Sequence, residues 1–262
     1  MHMEKTRLCG ESVMANYDWP LPRRLWEEAT SKPRPLWYLP ELVAMCFVDQ
    51  CDEEVSARLA AALGMAQLAI KLIDDLLDAE PGGVQEQVSA GEVANIASAF
   101  QAFSTSLAIT SFPLNTPFGG PAAAAITRLL HETAFGQQLD SAEAFTEDEY
   151  WAAVKWKSTP YYRHAFALGA LLAQHHGASA NAQPIRSLGT VFGEMVQVID
   201  DMVDVMATPA SRDWSRSNNL LILFAELTDE NGRFAELKAA VQGGANPETA
   251  QQYLIDCGAV TY

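Results

Sequence analysis

Residues 193–204 read Gly193-Glu194-Met195-Val196-Gln197-Val198-Ile199-Asp200-Asp201-Met202-Val203-Asp204. Three aspartates stand in a run that is otherwise mostly apolar. On a helix, Asp200 and Asp204 are four residues apart and so share one face, about one turn from each other. The same spacing occurs earlier, at Asp74-Asp75-Leu76-Leu77-Asp78, after the apolar residues Ala69, Ile70, Leu72 and Ile73.

Six carboxylates on buried-looking helices repel one another and lose hydration, so cations must offset them. Magnesium suits that donor set. It takes oxygen ligands, keeps several waters and is often completed by substrate phosphates. Two such clusters facing each other would hold a diphosphate through bridging metals. A single cluster is as readily a solvated helix face; two, each in an apolar helix, argue against that reading.

Outward from these clusters the pattern is helical. Glu53 to Ala79 is rich in Ala, Leu, Met, Glu and Lys with no internal proline, which predicts one long helix. Val93 to Ser111 is small and apolar, as in a helix surrounded by others. Pro121 suits a helix first turn, and Thr146-Glu147-Asp148-Glu149 reads as a capping box. Pro160 opens a helix that runs to about Gln174 and stops near Gly177; Ile185 to Met206 forms another. Asn218 to Leu227, Phe234 to Val241 and Glu248 to Cys257 read as shorter helices. No sustained period-two alternation and no Asn-Gly hairpin occur. The expectation is a single all-α domain over residues 1–262, a bundle of about ten helices. Its first forty residues are expected to form an irregular arm with one short helix around Arg24 to Thr30.

Composition excludes several classes. The 262 residues carry a formal charge of −16 and are 49% hydrophobic. So acidic a surface argues against nucleic acid and against docking on an anionic membrane through a basic patch. The uncharged stretch between Glu92 and Arg128 is broken by Pro113, Pro117 and Pro121 and fits two buried helices better than a membrane span. Cys9, Cys46, Cys51 and Cys257 form no CxxC pair, so reduced thiols and a cytoplasmic location are expected. No signal peptide is visible. The five histidines show no zinc spacing, and His175 and His176 beside Gly177 read as a helix end.

In order along the chain, the motifs resemble those of the trans-isoprenyl diphosphate synthase (polyprenyl synthetase) family. Residues 193–204 match its G-x-x-[FY]-Q-x-x-D-D-x-x-D pattern, with Val196 in place of the aromatic. Asp74 to Asp78 matches its first D-D-x-x-D. Gly136-Gln137-Gln138-Leu139-Asp140 resembles its G-Q-x-x-D, and Tyr150 with Lys157-Ser158 its Y…K-T. Lys32-Pro33-Arg34-Pro35 is a degraded echo of its G-K-R-x-R-P, and Gly258 to Tyr262 is similar to its G-A-x-x-Y ending. The resemblance implies an isoprenoid synthase fold, usually homodimeric, with a cavity between the aspartate helices. It implies three magnesium ions held mainly by Asp74, Asp78 and Asp200, with Asp75, Asp201 and Asp204 acting partly through waters. It places Lys157 and Gln197 on the leaving diphosphate, with Lys32, Arg34, Gln137 and Ser158 also toward substrate. The implied chemistry is ionisation of an allylic isoprenyl diphosphate, capture of the cation by an alkene such as that of isopentenyl diphosphate, and proton loss.

Three departures remove positive charge. Ala79-Glu80-Pro81-Gly82-Gly83 follows the first motif where an Arg-Arg pair is usual. The N-terminal basic element is reduced to Lys32 and Arg34. The loop after Asp204 lacks the usual Gly-Lys, for which Arg212 or Arg216 is the candidate substitute. Weak or absent use of isopentenyl diphosphate is therefore expected. Prenyl transfer is the first reading. A terpene synthase acting on one diphosphate is the second, and a non-catalytic partner subunit the third. A helical scaffold whose aspartates bind cations only for stability is the class furthest from these. Ala66, Ala69 and Ile70 are candidates for a tail pocket, with plain helix packing as the alternative.

Overall fold

A computed structural model describes residues 2–77, 83–141, 146–215 and 218–262. Asp78 and Arg216 lie outside the described residues. Among the described residues the chain is helical and contains no strand. In chain order the helices are α1 (Met3–Met14), α2 (Pro20–Thr30), α3 (Leu39–Ala44), α4 (Glu53–Leu77), α5 (Ala90–Thr110), α6 (Gly119–Asp140), α7 (Glu147–Lys157), α8 (Thr159–His175), α9 (Ala182–Met206), α10 (Leu220–Thr228), α11 (Arg233–Gln242) and α12 (Glu248–Asp256). The all-α class expected from the sequence is the one observed among the described residues. No described helix is long and apolar enough to cross a membrane.

The expected irregular arm is corrected: α1, α2 and α3 occupy most of it. Pro20 and Pro22 fall in the first turn of α2, where a missing N–H costs nothing and the fixed φ already suits the helix. Helix α1 is polar, and its buried residues are the small or slim Thr6, Cys9, Gly10 and Met14. Its apolar stripe is thus too narrow to show as a period.

The chain groups into two compact units. The first comprises residues 1–134 and 160–190; the second comprises residues 135–159 and 191–262. In the first unit α4 lies along α5, and α1 packs on α4. Ala57, Ala60, Ala61, Ala62, Ala66 and Ala69 of α4 are fully buried. These small side chains let helices approach closely, and Ser104 of α5 donates to the Ala62 carbonyl at 2.6 Å. Trp26 and Trp37 stack face to face, centroids 5.3 Å apart. Helix α8 ends where Gly177 turns the chain at φ +82°, a left-handed conformation that glycine adopts without Cβ strain. Beyond it, His176 Nε2 accepts from the Asp52 amide at 3.0 Å.

The core of the second unit gathers Trp214, Phe234, Leu221, Ile222, Val205 and Leu254, all buried. The predicted capping box is present: Thr146 accepts from the Glu149 amide, and Glu149 accepts from the Thr146 amide at 3.0 Å. The final residue packs here too. The Tyr262 ring meets Phe224 at 4.5 Å, and its hydroxyl donates to Glu147 at 2.5 Å.

Candidate active site

In the second unit, α7, the end of α6 and α9 surround a cavity of about 260 Å³ lined by Asp140, Tyr150, Lys157, Ser158, Gln197 and Asn218, among others. Three of the residues expected to meet substrate, Lys157, Ser158 and Gln197, therefore share one wall system. Gln137 does not join them: it is buried in α6 and is not part of that lining.

Gly136 explains the local geometry. A Cβ there would sit 2.1 Å from the backbone of Trp156 and Lys157, so only glycine lets α6 cross α7 this closely. The crossing brings Asp140, one turn on, within 2.5 Å of the Lys157 ammonium. Asn218 donates to the Asp140 carbonyl at 2.5 Å.

The three aspartates of the second motif differ in environment. Asp201 is buried, and both its oxygens are engaged. Oδ2 accepts from the Tyr150 hydroxyl at 2.7 Å and the Leu220 amide at 2.8 Å; Oδ1 accepts from Gln197 at 2.6 Å. Ser158 donates to the other end of that Gln197 amide. Asn219 caps α10 through its oxygen and uses its nitrogen to hold the Asp201 carbonyl at 2.9 Å. Burial pushes the Asp201 carboxyl up to about 6, against the pull of its three donors. Burial and the adjacent carboxylate likewise push the Tyr150 phenol upward, so it donates and does not ionise.

Asp200 and Asp204 are exposed. Burial raises the Asp200 carboxyl. Burial, then Asp213 and Asp200, raise that of Asp204, with Arg212 opposing. Both carboxylates are thus disfavoured as anions although the two residues are exposed.

In the first unit a cavity of about 580 Å³ is lined by Lys32, Arg34, Lys71, Asp74, Asp75 and Ile70, among others. The reduced basic element and the first aspartate motif, forty residues apart in sequence, thus meet on one surface. Lys71 pairs with Asp75 at 2.8 Å. The Arg34 guanidinium lies 5.9 Å from the centre of the Trp37 ring, and its Nε donates to the Ala29 carbonyl at 3.0 Å. Trp37 is fixed in turn by donating to Gln67 at 2.6 Å. Ile70 faces this cavity, whereas Ala66 and Ala69 are fully buried and serve the close packing of α4.

A hard divalent cation fits what is present. The donors are carboxylates, some raised in pKa by burial, which a positive ion would relieve. Among the described residues no group of three or more His, Cys, Asp or Glu side chains converges.

The sequence reading did not assign roles to Asp140, Asn218 or Asn219. Asn219 had a signal, since an asparagine just before the apolar run Leu220-Leu221-Ile222-Leu223 is an N-cap candidate. Its bond to Asp201 had none.

Comparison with known proteins agrees with this fold. The polyprenyl synthetase family model matches residues 34–217. The chain is similar to the geranylgeranyl pyrophosphate synthetase from the archaeon Geoglobus acetivorans, with TM-score 0.75, 17% identity, and 99% of this chain and 84% of that one covered. It is also similar to the heptaprenyl diphosphate synthase from Staphylococcus aureus, with TM-score 0.76, 14% identity and coverages of 99% and 85%. Likewise it resembles a decaprenyl diphosphate synthase from Rhodobacter capsulatus, with TM-score 0.75, 17% identity and coverages of 99% and 85%. No curated protein sequence matches it. The chain belongs to the polyprenyl synthetase family, a family of prenyltransferase enzymes.

Proposed function

We propose that this chain is a magnesium-dependent prenyltransferase that ionises an allylic isoprenyl diphosphate and transfers the prenyl group to isopentenyl diphosphate or another acceptor. The observation that carries this reading is the convergence of Lys157, Ser158 and Gln197 on one cavity, beside an α9 whose Asp201 is anchored. Lys157 would hold the departing pyrophosphate, exchanging its Asp140 partner for phosphate oxygens. Gln197 is oriented from both ends and offers a fixed polar contact to the same group. Asp201 positions: its bonds to Tyr150, Leu220 and Gln197 set the rotation of α9 and hence where Asp200 and Asp204 point.

Asp74, Asp75, Asp200 and Asp204, with Asp78 on sequence grounds, are the carboxylates that would hold magnesium. When bound, the metal supplies positive charge that offsets the anionic leaving group. Ionisation leaves an allylic cation and pyrophosphate. An acceptor alkene bonds to the cation, and a proton is then lost.

Transfer to a second diphosphate, in preference to cyclisation of one, is supported by the first unit. Lys32, Arg34 and Lys71 line the same cavity as Asp74 and Asp75, which supplies cations for another anionic group despite the missing arginine pair. The test is mass spectrometry of products from geranyl, farnesyl and geranylgeranyl diphosphates with magnesium, with and without isopentenyl diphosphate. Longer prenyl diphosphates formed only when isopentenyl diphosphate is present are expected. Cyclic hydrocarbons or alcohols formed equally without it would replace the proposal with a terpene synthase.

A further inference from the structure

A third cavity, of about 530 Å³, lies within the first unit among α6, α8 and the start of α9. It takes no part in the reaction proposed above. Its charged lining is Arg128 of α6 and Arg186 of α9, and no Asp or Glu lines it, although the chain carries 33 acidic residues. Neither arginine side chain forms an ion pair or hydrogen bond with a described residue. The Arg186 Nε is buried with no acceptor, and a buried guanidinium donor without an acceptor is a costly feature.

The neighbouring charges are already matched. Glu132 accepts from Arg163 and from His164 Nε2, each at 2.6 Å. A ring nitrogen facing a carboxylate must donate, and burial holds His164 neutral by lowering its pKa to about 4. Glu132 is therefore spent on its two donors, and His164 brings no charge. The cavity keeps the positive charge of Arg128 and Arg186. Gln183 and Asn181 add polar groups to the lining, and α9, a 25-residue helix, directs its positive end toward it from Ala182. The remaining wall is built of Pro121, Leu171 and alanines.

We propose that this cavity is an anion site that takes a phosphate or diphosphate group between Arg128 and Arg186. Two guanidinium groups from different helices suit a multiply charged oxyanion, which each can bind through paired N–H donors. Such a group comes either as a free inorganic anion or as the head of an ester whose short apolar part rests on the alanine wall.

Binding of inorganic pyrophosphate to the whole chain, measured calorimetrically in chelator-treated, metal-free buffer, tests this. Saturable one-to-one binding is expected. Arg128→Gln and Arg186→Gln should each weaken it at least about tenfold, and Arg186→Lys should recover part of the loss. Asp74→Asn, Asp200→Asn and Lys157→Gln should leave it unchanged, because none lines this cavity. Circular dichroism melts report whether Arg186→Gln folds; Arg128 is exposed, so its variant carries the test if the other does not. Comparing inorganic phosphate with n-butyl phosphate separates the two sources: tighter binding of the ester assigns the apolar wall to an organic tail, and equal binding assigns a free anion. Absence of saturable binding, or binding lost in Lys157→Gln and kept in both arginine variants, would overturn the proposal.

Discussion

Helices α4 and α9 carry the same aspartate spacing, yet the two motifs are supported differently. On α9 the middle aspartate is buried and its oxygens are filled by Tyr150, Gln197 and the Leu220 amide, while Asp200 and Asp204 remain exposed. On α4 both described aspartates line a cavity, and the middle one, Asp75, is met by the exposed cation Lys71. A repeated motif is thus not a repeated role. One aspartate of the second motif is held by buried donors; its counterpart in the first is paired with an exposed lysine.

The largest stability effect expected is at that buried aspartate. Asp201→Ala should cost about 3–5 kcal/mol in chemical denaturation, because the buried Tyr150 hydroxyl and Leu220 amide lose their acceptor. Asp200→Ala, one residue away and exposed, should stay within about 0.5 kcal/mol. Equal losses would erase the distinction drawn within the second motif.

A buried titratable group in the first unit gives the next effect. Unfolded, His164 takes up a proton near pH 6.5; folded, it does so only near 4. Between those values the unfolded chain binds the extra proton, so stability falls as pH drops from 6.5 toward 4, by about 3 kcal/mol in total. Below that, Glu132, whose carboxyl is lowered by His164 and Arg163 against the opposing effect of burial, adds loss in the same direction. Denaturation midpoints against pH should show this slope, and His164→Gln should flatten it.

Gly136→Ala should cost about 1–3 kcal/mol in the same measurement, since the added methyl meets the Trp156–Lys157 backbone, which cannot move aside as a side chain can. It should also weaken the Lys157–Asp140 pair, and with it any activity that depends on Lys157. The smallest effect expected is Lys71→Ala, under about 1 kcal/mol, because Lys71 is exposed and solvent screens its pair with Asp75.

Much of this was legible in the chain. The helices over residues 53–77 and 90–110 announce themselves by long apolar periods without internal proline, that over 182–206 does so beyond Pro184 in its first turn, and the capping box at Thr146 names its own helix start. The resemblance to the family's motifs singled out Lys157, Ser158 and Gln197, which line one cavity. Helix α1 was missed because its buried face is made of Thr6, Cys9, Gly10 and Met14, too small a stripe to give a period. The division of labour among Asp200, Asp201 and Asp204 was not legible either. It depends on which carboxylate meets Tyr150 and Leu220, partners 51 and 19 residues away. The arginine cavity combines residues 128, 164 and 186, which no motif links.

The central claim is that ionisation of an allylic diphosphate depends on both aspartate motifs and on magnesium. Pyrophosphate release from farnesyl diphosphate should be measured for the unaltered chain, Asp74→Ala and Asp200→Ala, each with magnesium and with chelator, beside circular dichroism to confirm folding. The account predicts release by the unaltered chain with magnesium alone, and a loss of at least about a thousandfold, roughly 4 kcal/mol of barrier, in either folded variant. Release that persists in chelator, or that survives in either variant, would contradict it.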